Sequence, residues 1–102
     1  IIFKKPPKNC EPVYWFTNIF TKDKNKLVKY LSTKSIQTRD AFYPLNLQPC
    51  FKNTNLVKNI NKEFPVSEKI YKTCISLPSS YSLTKKEQDL VIKNIKKFYG
   101  KK

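Results

Sequence analysis

The sequence predicts an α+β sandwich: a small three-stranded sheet, antiparallel or mixed, with helices packed mainly on one face. Three observations predict it. Residues 13–21 (VYWFTNIFT) are dense in aromatic and β-branched side chains, the composition of a strand. Residues 84–98 open on a capping pattern and carry one apolar stripe at helical spacing. Two further short apolar runs, 36–42 and 73–77, alternate with stretches of helical pattern. The order strand, helix, strand, irregular loop, short helix, strand, helix builds a two-layer α+β domain, and at 102 residues one domain spanning 1–102 is expected.

Residues 4–12 are rich in Pro, Lys and Asn and read as an extended lead-in. Both faces of 13–21 carry apolar side chains, which predicts a central strand covered on both sides. Asp23 is placed to cap a helix running to about Lys34, with Leu27, Val28 and Leu31 on its core face and Lys24, Lys26 and Lys29 on the wetter side. Residues 36–42 alternate imperfectly and read as a second strand. The two prolines in 43–51 forbid a long regular element there, and the Asn- and Lys-rich stretch 52–63 reads as a loop. Pro65 suits the first turn of a short helix that would turn Val66 and Ile70 to the core. Residues 73–77 (TCISL) form a third strand, stopped by Pro78. In the last helix Thr84 is the cap and Glu87 its reciprocal partner; Leu90, Val91, Ile95 and Phe98 make the stripe, and Gly100 stands where a helix stops.

Composition excludes more than it assigns. Basic residues number 21 against 7 acids, a net charge of +14, a balance suited to nucleic acid or an anionic membrane. Two details favour a plain lysine-rich surface, of the kind an AT-rich genome encodes. Arg39 is the single arginine, and arginine rather than lysine supplies the planar fork that reads phosphates and base edges. The lysines are also spread along the chain. Cys10, Cys50 and Cys74 are odd in number and widely spaced, and histidine is absent. Zinc and a disulfide framework are therefore unsupported, and reduced thiols in a cytoplasmic protein are expected. No apolar run approaches the roughly 20 residues of a membrane span, so no membrane partner is expected. The sequence starts at Ile1 and contains no methionine, which gives the expectation of a piece of a longer chain.

With no histidine, one glycine and no obvious carboxylate pair, the chain lacks the parts of a catalytic cycle. A Schiff-base lysine needs a desolvated amine, whereas every lysine here sits in a polar sequence context and is expected on the surface. Thr38 to Pro49 is the most unusual stretch. Its aromatic and polar detail suits a recognition loop, and equally a proline-stiffened crossover tucking Phe42, Leu45 and Leu47 inward.

The run IQTRDAFYPLNLQPCF resembles the segment of the DegT/DnrJ/StrS sugar aminotransferases that reads G-I-x-T-R-P-x-F-x-P-L-H-x-Q-P. EPVYWFTNIF is similar to the strand entering their small domain, KNKLVKYLSTKSIQTR to the helix that follows, and FPVSEKIYKTCISLPSSYSLTKKEQDLVIKNI to their closing run. The blocks fall in the right order over nearly the whole chain. The resemblance implies the carboxy-terminal small domain of the aspartate-aminotransferase fold. The family is dimeric, with both subunits lining each site. A lysine of the large domain holds pyridoxal phosphate there, and an amino group passes from glutamate to a nucleotide-linked keto sugar for cell-surface polysaccharide or antibiotic sugars. It also implies that the large domain is missing and that the chain alone is inert. By position, Tyr43 and Asn46 are carried over as substrate-binding residues, with Arg39 behind them; no catalytic, cofactor or metal residue is assigned to this chain. Asp40 stands where proline is usual, Asn46 where histidine is frequent, Ser35 where a turn glycine is common and Cys74 where a small residue is usual. Asn46 can donate a hydrogen bond but cannot act as a base. The alternative reading is a small basic nucleic-acid-binding module, with lysines and exposed aromatics gathered on one surface.

Overall fold

The computed structural model describes residues 1–3, 5–51 and 64–100. Their elements run β1 (Thr17–Phe20), α1 (Lys24–Ser32), β2 (Arg39–Asp40), a 3₁₀ turn (Leu45–Leu47), α2 (Pro65–Thr73), β3 (Cys74–Leu77) and α3 (Lys85–Phe98). The sheet order is β1–β3–β2, with both pairs antiparallel. The expected α+β architecture with a three-stranded sheet is what the chain adopts. The loop expected at 52–63 lies outside the described residues.

The register sorts the sheet into two faces, because directly opposed residues share a face and neighbours alternate. Ile19 opposes Ile75, Thr17 opposes Leu77, and Asp40 opposes Ile75 from the other side. This face meets α1 and α3, where Ile19, Ile75 and Leu77 join Leu27, Leu31, Ile36 and Val91 in the core. Partly buried Val28, Tyr30, Ile95 and Phe98 close its rim. Asn18, Ser76 and Arg39 lie in one row on the opposite face, with Phe20 and Cys74 beside them.

Three expectations are corrected. The run 13–21 is not the central strand: β1 keeps only Thr17–Phe20, at an edge extended by one bridge between Ile2 and Phe20. The centre is β3, buried at all four positions. Val13, Tyr14 and Trp15 stay exposed, so their apolar character marks a surface rather than a second covered face. The second strand is two residues long, because Ile36 is claimed by the helix before it. Its N–H bonds the Leu31 carbonyl while the Ser35 N–H bonds that of Ser32, and the buried Ile36 side chain joins Leu31 in the core. That is a Schellman closure, with Ser35 in the left-handed region at φ 57°. Finally, Val66 and Ile70 do not enter the core; both are exposed, since α2 lies towards the other face of the sheet.

The ends of the helices follow local chemistry. Thr84 and Glu87 form the reciprocal capping box, whereas Asp23 starts α1 without a side-chain cap. The Thr21 hydroxyl takes over part of that work, accepting the Asp23 N–H at 3.1 Å and pairing with the Tyr99 hydroxyl at 2.6 Å. That contact pins the end of α3 to the start of α1.

Candidate functional site

The face of the sheet turned away from α1 and α3 carries the chemistry. Two neighbouring cavities, of about 350 and 330 Å³, open there and share Phe16, Arg39 and Ser76. The first runs past Trp15 to Pro78, Ser79 and Ser80; the second reaches Asn18, Phe42 and, from α2, Ser67 and Ile70.

β3 supplies the floor. Ser76 donates to the Asn18 side-chain oxygen at 2.7 Å, across the strand pair, which orients both polar groups on that floor. Cys74 is also buried there. Burial raises its thiol pKa, opposed in part by the nearby Lys24 charge, so it is a poor nucleophile. After β3, Pro78 ends the strand and the Ser79 hydroxyl donates to the Trp15 carbonyl at 3.0 Å, holding the aromatic segment beside the cavity mouth. Trp15 stacks on Phe16 at 4.6 Å, and Phe16 meets Phe42 edge-on at 6.1 Å. Trp15 and Phe42 nevertheless remain 73% and 82% exposed. An aromatic group so placed on a folded surface marks a contact site.

Arg39 stands between the cavities as an exposed cation. Among the described residues it has no ion pair, although Asp40 is its neighbour. Lys24 explains this: its ammonium lies 3.0 Å from the Asp40 carboxylate, on the helix side of the sheet. Lys24 is itself buried at 6% exposure, donates to the Tyr71 carbonyl and sits 4.6 Å over the Tyr71 ring. The expectation that every lysine is solvated is therefore corrected at Lys24. An ammonium held by a carboxylate, a carbonyl and a ring is a structural tie between α1, β2 and α2. Asp40, in place of proline, is the partner that makes the buried charge tolerable.

The three residues carried over from the sequence do not come together. Arg39 lines both cavities. Tyr43 packs edge-on against Tyr71 at 5.1 Å, and Asn46 lies half-buried in the 3₁₀ turn; both stand apart from those cavity linings. Sequence reasoning passed over Asn18 and Ser76, and it went no further along the cavity than Pro78 as the stop of the third strand. The alternation in TNIF and the paired register are the signals for Asn18 and Ser76, and they require knowing which strand is central. Among the described residues no three acidic or thiol groups gather in a way that could hold a metal ion, and no helix is long and apolar enough to cross a membrane.

Comparison with known proteins gives the family and its fold. The family model described as the DegT/DnrJ/EryC1/StrS aminotransferase family matches residues 3–96. GDP-perosamine synthase of Escherichia coli O157:H7 is 28% identical over 101 residues, spanning 96% of this chain and 26% of that protein. The crystal structure of a DegT DnrJ EryC1 StrS aminotransferase from Brucella abortus superposes with a TM-score of 0.71 at 27% identity, over 84% of this chain and 22% of that one. The chain thus spans about a quarter of the length of the relatives it matches. With the family pattern running through nearly all of its residues and the fold shared, this chain belongs to the DegT/DnrJ/EryC1/StrS aminotransferase family.

Proposed function

We propose that the chain serves as the small domain of a pyridoxal-phosphate-dependent enzyme that moves an amino group from glutamate to a nucleotide-linked keto sugar. In this reading its open sheet face closes against a cofactor-bearing large domain. The carrying observation is Arg39, an exposed guanidinium with no ion pair among the described residues, which lines the two cavities bordered by the exposed rings of Trp15 and Phe42. The name of the E. coli relative supports a nucleotide sugar as substrate. The family supports a homodimeric, cytoplasmic enzyme of amino-sugar and polysaccharide biosynthesis.

The described residues do not themselves fit the cofactor. Pyridoxal phosphate needs a lysine amine free to condense and a cradle of N–H groups for its phosphate. The buried amine, Lys24, is held by Asp40 and Tyr71, and the chain's one glycine, Gly100, lies past the end of α3. In this reading a lysine of the large domain holds the cofactor, and the chain alone is expected to be inert. What these residues can do is bind and exclude water. Arg39 is suited to a bidentate contact with a phosphate or carboxylate. Asn18 and Ser76 offer polar contacts beside it, and the Trp15, Phe16 and Phe42 rings would dry the closed site. Tyr43 and Asn46, by family position, would approach the sugar from the loop edge.

A chimera tests this. The small domain of the E. coli relative is replaced by this chain, and absorbance of the bound cofactor reports that the large domain has folded. Transfer of an amino group from glutamate to a GDP-linked keto sugar is then followed. We expect turnover, with Arg39→Ala losing about 10- to 100-fold while the cofactor band is kept. A chimera that holds cofactor yet never transfers would reject the reading, and so would a specific aldimine band on one lysine of this chain alone. The nucleic-acid reading is disfavoured by placement: the exposed rings of Trp15 and Phe42 border cavities whose one lining cation among the described residues is Arg39, whereas α3 carries its lysines in the layer on the other side of the sheet.

A further inference from the structure

We propose that the outer face of α3 is a docking surface for an anionic lipid bilayer. This is independent of the open sheet face, because α3 lies on the opposite side of the sheet. Five of the 14 residues of α3 are lysines and two are acids. The acids are engaged: Glu87 caps Thr84 and Asp89 pairs with Lys85 at 3.0 Å. Lys86, Lys93, Lys96 and Lys97 remain, all exposed and without an ion pair among the described residues. At 3.6 residues per turn these four fall within one arc of the helix, directly opposite the buried Val91. Leu90 and Ile92 fall on the two flanks of that arc, each 50% exposed. A row of unpaired ammonium groups bordered by aliphatic side chains is the pattern that lies flat on an anionic membrane surface. Of the expected stripe Leu90 turns outward, but the helix keeps Val91, Ile95 and Phe98 against the core, so the contact is by charge and shallow side-chain insertion, not by helix insertion.

Nucleic acid is the other polyanion to weigh. The exposed helix positions offer neither an arginine fork for phosphate nor an aromatic ring for a base, since Arg39 lies on the far side of the sheet. Two aliphatic flanks have no use against a sugar–phosphate backbone and a direct use against lipid.

Co-sedimentation of the chain with phosphatidylcholine vesicles, with and without about 30% phosphatidylglycerol, tests the proposal. Binding should need the anionic lipid and fall steeply with salt. The triple variant Lys86→Gln, Lys93→Gln, Lys97→Gln should lose roughly tenfold or more in partitioning. The pair Leu90→Ser, Ile92→Ser should weaken vesicle binding while leaving any retention on duplex DNA unchanged. All five positions are exposed, and circular dichroism checks that each variant keeps its helices. Equal sedimentation with neutral and anionic vesicles overturns the proposal. So does displacement from anionic vesicles by DNA at matched phosphate concentration, which would make the face a nucleic-acid surface.

Discussion

Ser35 is the residue at which side chain and backbone disagree most. It occupies the left-handed position that closes α1, at φ 57°, where a Cβ costs about 1 kcal/mol relative to glycine. The geometry persists because Ile36, the next residue, is buried against Leu31 and the two closing hydrogen bonds are made. Ser35→Gly is therefore expected to stabilise the chain by about 1 kcal/mol, less the extra freedom glycine gives the unfolded state. A urea titration reads this directly, and a lower midpoint for the variant would count against the strain argument. The departure at Ser35 was visible in the sequence, but its backbone angle was not. Lys24 was less legible still. A lysine at a helix start reads as solvated, and only the folding of Asp40 and Tyr71 around it, distant in sequence, shows why it is buried.

At the scale of the element, what is local in sequence was readable and what depends on a distant partner was not. The capping box of α3, Pro65 at the first turn of α2 and the stop after β3 all rest on neighbours within four residues, and each stands where the pattern placed it. Strand rank is a property of pairing between residues as far apart as Thr17 and Leu77, and apolar content alone misassigned the centre to β1. The α3 cap makes the sharpest element-level prediction. Hydrogen bonds from the Thr84 hydroxyl and backbone N–H hold the Glu87 carboxyl below its ordinary pKa. A folded-state value below the unfolded one means the unfolded chain binds the proton more tightly. The stabilisation is then complete above the ordinary carboxylate value of about 4.3 and is lost as pH falls through the lower folded value. Thr84→Ala should cost about 1 kcal/mol at neutral pH, and its gap from the parent chain should narrow at pH 3. A urea-midpoint difference that is the same at both pH values would show that Glu87 takes no part in the cap.

For the whole molecule, the question is why a chain of this size leaves so much aromatic surface uncovered. The core is small: Ile19, Leu27, Leu31 and Ile75 are fully enclosed, with few others beside them, and each enclosed aliphatic contributes on the order of 1.5–3 kcal/mol. Ring area at Trp15, Phe16 and Phe42 is spent on the rim of two open cavities instead of on that core. A sequence that must stand alone gains by turning such rings inward; under the proposed function this rim is one half of an interface between domains. Trp15, the single tryptophan, makes this measurable. Its indole is solvated in the isolated chain and lies at the mouth of the first cavity. In the chimera with a relative's large domain, otherwise free of tryptophan, its emission should move to shorter wavelength and its quenching by iodide should fall several-fold. Phe42→Ser, which trims the rim without touching the enclosed aliphatics, should weaken that shift while leaving the isolated chain's unfolding midpoint within about 0.5 kcal/mol of the parent's. Unchanged emission and quenching in a chimera that holds its cofactor would mean that the large domain rests elsewhere, and the open sheet face would then need a different occupant.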